Sequence, residues 1–117
     1  WKILVTVVER TYNIGKNSTA HGKIDQNLLN EEQELRLWTL YKSEKEKILA
    51  YVKPKKYEEL SLLYTHVFAE PIHHFFENVF VNVEDEAIKN NRLILMKKIN
   101  DLYVNNIANL ALIVEHE

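Results

Sequence analysis

Cysteine is absent from this 117-residue chain, which excludes disulfide frameworks, thiolate zinc sites and thiol catalysis together. Glycine is nearly absent as well. Gly15 and Gly22 are the two glycines, seven positions apart, whereas a phosphate-cradling loop or dinucleotide fingerprint needs several closely spaced ones. Nucleotide chemistry is therefore not expected within these residues. No apolar run approaches the roughly 20 residues needed to cross a bilayer, so no membrane partner is expected and the setting is read as cytoplasmic. The first residue is Trp1 and no basic segment leads into a cleavable apolar one, so the chain reads as a piece cut from something longer.

What is present fits one packed domain spanning residues 1–117. Hydrophobic residues make up 46% and charged residues 27%, far from the composition of disordered chains. The formal charge of −2 gives no global attraction for nucleic acid, so any RNA contact must be local. The charge is nevertheless polarised. The first 30 residues sum to +2, while residues 61–86 hold five acids and no Lys or Arg.

Apolar residues recur at helical spacing, and the fold class expected is all-α, an antiparallel bundle of about five helices. Residues 1–14 carry Leu4, Val5, Val8 and Tyr12 in register, although the run Val5 to Val8 also suits a strand. Residues 15–27 form a loop expected to be mobile at its middle. Asn30 with Gln33 predicts the start of a helix over 31–52 that ends at Pro54, with Lys42 and Glu46 paired on its wet side. A third helix is expected over 56–69. Pro71 is placed at the first position of a short fourth helix, and 80–83 as a turn tucked against the core. Glu84, Asp85 and Glu86 front a long helix patterned by Ile88, Leu95 or Met96, Ile99, Leu102 or Tyr103, Ile107, Leu110 and Val114.

Few residues invite chemistry. His73 and His74 are adjacent, but neighbours on a helix point about 100° apart and make a poor ligand pair, so no metal site is expected. The acids at 84–86 read as a helix cap rather than a cation site. No serine, threonine or histidine forms a nucleophile motif, and no catalytic residue is assigned.

Residues 70–99, EPIHHFFENVFVNVEDEAIKNNRLILMKKI, resemble the carboxyl-terminal region of the bacterial glycyl-tRNA synthetase beta subunit family. The positions that fit its pattern are Glu70, Pro71, Phe75, Phe76, Glu77, Val79, Val81, Glu84, Asp85, Glu86, Asn91, Arg92, Leu93 and Leu95. Upstream, Arg10, Asn13 and Ile14, and then Lys56, Tyr57, Glu58 and Glu59, resemble further segments of that family. Glu9 stands where the family commonly has Lys, and Ile88 and Lys89 replace a more usual Leu and Arg. The resemblance implies a DALR-type anticodon-binding bundle that holds the anticodon arm of glycine tRNA and performs no chemistry itself. It further implies that ATP is used by the full ligase and no cofactor by this piece, with the catalytic alpha subunit and the rest of the beta subunit as partners.

An anticodon loop displays unstacked bases, so its recognition needs amides, a few cations and an aromatic face. Arg10, Tyr12, Asn13 and Lys16 at the first helix, and Lys89 and Arg92 near the start of the last, are the candidate RNA-contacting residues. For Arg92 the competing reading is an ion pair to a carboxylate such as Glu77 that ties helices together, and for Asn13 it is an interhelical amide. The competing function is a helical protein-docking module without RNA contact.

Overall fold

The computed structural model describes residues 2–16, 18–20 and 22–106. Four α-helices and one short 3-10 turn are found among them: α1 (Lys2–Gly15), the turn Gln26–Leu28, α2 (Glu32–Leu49), α3 (Tyr57–Asn78) and α4 (Glu86–Val104). No strand occurs among the described residues. The bundle is all-α as expected, with one helix fewer than the sequence predicts.

The difference lies at Pro71. Proline in a helix interior removes a donor and crowds the carbonyl four residues back, at a cost of about 3 kcal/mol, which predicts a break. Instead α3 runs through it. Tyr64, Phe68, Ile72 and Phe75 lie on one face spanning the proline and are all buried, at no more than 1% exposure. Burial of each such side chain contributes about 1.5–3 kcal/mol, enough to offset the lost bond.

In α1 the helix wins over the strand reading. The hydroxyls of Thr6 and Thr11 donate back to the carbonyls of Lys2 and Val7, at 2.9 Å each. Leu4, Val7, Val8 and Thr11 form the buried stripe, so Tyr12 falls outside it and is exposed. The cap of α2 sits one residue later than the sequence suggests: the Glu31 amide donates to Glu34 Oε1 at 3.2 Å. That helix also ends early, at Leu49, and the turn to α3 closes with Lys55 N donating to Val52 O and Lys56 N to Tyr51 O. Lys42 lies over the Trp38 ring at 5.4 Å and makes no pair with Glu46; the α2 ion pair is Lys47 with Glu44.

The acids at 84–86 behave as a cap. Asp85 Oδ1 accepts from Ala87 N and Ile88 N. Behind it, α4 is the central rod, packed against α1 and α2, with Leu95, Met96 and Ile99 fully buried. The predicted core positions Ile107, Leu110 and Val114 lie outside the described residues. Between α3 and α4 the expected tucked turn is only half realised. Val79 and Val81 are buried while Phe80 is not.

Candidate nucleic-acid interface

The last two turns of α1 pack against α4, and three buried or half-buried side chains of α4 tie it to α1 and to the segment after it. Asn100 Nδ2 donates to Val8 O and Thr11 Oγ1, both at 3.1 Å. Lys97 Nζ donates to Ser18 O at 2.8 Å and Ala20 O at 2.9 Å. Asn91 grips the backbone of Asp25 from both sides, accepting its N–H at 2.8 Å and donating to its carbonyl at 3.1 Å. The segment after α1, expected to be mobile at its middle, is therefore pinned to α4 at 18–20 and at 25. Gly15 permits the approach, because a Cβ there would stand 3.1 Å from Lys97 Cγ.

This packing divides the α1 candidates by helical spacing. Tyr12 and Lys16, four residues apart, share a face and line a groove of about 330 Å³ with Asn100 and Asp101 of α4. Arg10 lies on the opposite side, in a groove of about 220 Å³ with Ile72 and His73, and its guanidinium sits 5.6 Å from the Phe76 ring centroid. Asn13 is exposed between them, so the amide that joins helices here is Asn100, from α4 to α1, and not Asn13. Lys89 belongs to a further groove of about 410 Å³, walled by Ile14, Val81, Asn82, Glu86 and Asn90. Four of the six candidates are thus exposed at the end of α1, with Tyr12 and Lys16 on one side, Arg10 on the other and Asn13 between them, and Lys89 lies in a separate groove.

Arg92 is the exception and requires correction. It is only 5% exposed, and NH2 donates to Glu34 Oε1 at 2.9 Å, so its charge is spent inside the bundle. Its NH1 donates to the Phe80 carbonyl. The ion-pair reading is the one realised, with Glu34 of α2 as the carboxylate in place of Glu77. Glu77 instead lies 2.9 Å from His73 Nε2, and Glu70 lies 3.4 Å from His74 Nε2. Among the described residues no group of three or more His, Asp or Glu is arranged to hold a metal ion.

Electrostatically the two ends of α4 differ. Beside its C-terminal half lie Lys45 and Lys98, which line a groove of about 260 Å³ with Asp101. The α2–α3 turn adds exposed Lys53, Lys55 and Lys56, with Lys55 held at φ 59°, a conformation that favours glycine. By residue type alone this K-P-K-K run is no different from the cations that suit any helix C-terminus. Asp101 has its carboxyl raised by partial burial, opposed by Lys97 and Lys98.

Residues 5–110 match the DALR anticodon binding domain family. The chain is 38% identical over 104 residues to a glycine–tRNA ligase beta subunit from Sulfurihydrogenibium sp., covering 87% of this chain and 15% of that protein. It is 36% identical over 112 residues to the same subunit from Halothermothrix orenii, covering 93% of this chain and 16% of that protein. A chloroplastic/mitochondrial glycine–tRNA ligase of Arabidopsis thaliana is 36% identical over 96 residues, covering 82% of this chain and 8% of that protein. The chain thus spans 8% to 16% of the length of these relatives. No helix among the described residues is long and apolar enough to cross a membrane. With nearly the whole four-helix body inside the match, the chain belongs to the DALR anticodon binding domain family.

Proposed function

We propose that this domain holds the anticodon arm of glycine tRNA within the beta subunit of a glycine–tRNA ligase, while ATP-dependent activation of glycine takes place on a separate alpha subunit. The observation that carries the reading is the family match over residues 5–110 together with exposed cations, an aromatic ring and an amide at the end of α1. Arg10 and Lys16 meet phosphates, Asn13 hydrogen-bonds to a base or sugar, Tyr12 offers a ring, and Lys89 supplies a cation on the flank. Arg92 contacts no RNA in this scheme and serves as a strut.

A net charge of −2 is compatible with that role because the first 30 residues, which carry Arg10 and Lys16, hold four basic residues against two acidic ones. Preorganisation matters as much as charge. Asn100 ties α1 at Val8 and Thr11, and Lys97 and Asn91 hold the segment that follows it, so little conformational freedom remains to be lost on binding. Pull-down of the full-length protein carrying this chain with glycine tRNA, against tRNA of another specificity, tests the reading. Retention of glycine tRNA that falls on Arg10→Ala/Lys16→Ala substitution supports it; equal retention of both tRNAs contradicts it.

A further inference from the structure

Phe80 is 82% exposed, more than any other large hydrophobic side chain among the described residues, although Val79 and Val81 on either side of it are buried. A phenyl ring left in water forgoes the gain that burial gives its neighbours. Its backbone is not loose. The Phe80 carbonyl accepts from Arg92, which is itself anchored to Glu34 inside the bundle. Two buried valines and a buried guanidinium therefore hold the main chain in place and leave the ring outside.

Val81 and Asn82, next in sequence, form one wall of the groove of about 410 Å³ whose α4 side carries Glu86, Lys89 and Asn90. The amides of Asn82 and Asn90 donate and accept, Lys89 donates, and a carboxylate at Glu86 only accepts. Glu86 thus favours an amino group and repels phosphate, as do Glu84 and Asp85 beside it. A ligand suited to this set is flat, uncharged and edged by an exocyclic amine, with a π-face for the ring.

We propose that Phe80 and this groove receive one unstacked, amine-bearing nucleobase of the bound RNA loop, with Phe80 as stacking platform and Glu86 as acceptor for the amine. The proposal rests on the anticodon-arm reading above. Cytosine, adenine and guanine present such an amine and uracil does not.

The test uses the full-length protein and a fluorescently labelled glycine tRNA anticodon stem-loop, with each loop position made abasic or uridine in turn. Base–aromatic stacking predicts that Phe80→Ala weakens binding about ten-fold, that Phe80→Trp restores it, and that the salt dependence stays unchanged. At one loop position the abasic RNA should bind wild type and Phe80→Ala equally, and uridine there should cost wild type more than Glu86→Gln. Unchanged affinity of Phe80→Ala, or a ten-fold loss that persists on every abasic RNA, would overturn the proposal. So would unchanged RNA affinity accompanied by loss of subunit assembly, which would mark Phe80 as a protein contact. Failure of the wild-type protein to bind the native stem-loop would instead remove the anticodon-arm reading itself.

Discussion

Glu34 Oε1 and Arg92 NH2 stand 2.9 Å apart in the interior, joining α2 to α4 across 58 residues of chain. Glu34 is fully buried and also caps its own helix through the Glu31 amide. The pair is incompletely satisfied, since Glu34 Oε2 and Arg92 Nε have no partner among the described residues. Desolvation therefore consumes much of the attraction, and the pair is better understood as a device that fixes how α2, α4 and the Phe80 backbone meet.

Removing one partner leaves the other charged and buried. Glu34→Leu or Arg92→Leu alone should cost about 3–5 kcal/mol, while the double substitution should cost less than the sum of the two. Urea unfolding of the three variants measures this, and additive losses would contradict it.

Tyr64 links α3 to α4, its hydroxyl donating to Ile99 O at 2.8 Å. Its ring lies 5.1 Å from Tyr103, whose hydroxyl is 2.7 Å from Ser61 Oγ. Burial, then the neighbouring Tyr103 and Asp101, raise the Tyr64 phenol far above its ordinary range. Tyr103 is raised as well, by burial first. A folded state that keeps these protons when the unfolded chain has released them loses stability as pH rises past about 10. Each such tyrosine contributes a slope of about 1.4 kcal/mol per pH unit. Tyr64→Phe should cost about 1 kcal/mol at neutral pH and make the alkaline decline shallower, as followed by denaturant unfolding at pH 8 and 11.

The two pins on the segment after α1 are separable. Lys97→Met should accelerate amide hydrogen exchange at Ser18 and Ala20, whose turn it supports, and leave the Asp25 amide protected by Asn91. Asn91→Ala should do the converse. Exchange that rises at both places in either variant would show one cooperative unit instead of two.

Periodicity made the helices legible because each buries a face, and the Asp85 cap could be read from the acids that precede α4. Pro71 misled because local backbone chemistry argues for a break, whereas the face from Tyr64 to Phe75 that overrules it is apparent only once α3 packs against α1 and α2. Arg10, Tyr12, Asn13 and Lys16 were visible as residue types at the end of a helix. Arg92 was not assignable between surface and core, since its partner Glu34 lies on another helix and helical spacing carries no information about that pairing. Phe80 was hidden for the same reason: an apolar run of Phe, Val, Asn and Val suggests uniform burial, and only the Arg92 contact to the Phe80 carbonyl shows which way the chain is held.

The lysines of the α2–α3 turn offer a contrast within the basic surface. Lys53, Lys55 and Lys56 are exposed just after the C-terminal end of α2, whose Lys45 and Leu49 line a groove with Lys98 and Asp101 of α4. If they steer RNA without touching it, Lys55→Gly should slow association several-fold at low salt and leave dissociation unchanged, while relieving the strain of φ 59°. Stopped-flow binding separates the two rates; a faster dissociation would show a direct contact.

The measurement that bears most directly on the central claim is the affinity of the full-length protein for the glycine tRNA anticodon stem-loop across a series of salt concentrations. Contacts from Arg10 and Lys16 predict that affinity falls linearly on a logarithmic salt scale. The Arg10→Ala/Lys16→Ala variant should show a slope shallower by about 1.4–1.8, for two lost phosphate contacts. Binding that ignores both salt and the substitutions would contradict the account and leave this face of α1 to a protein partner.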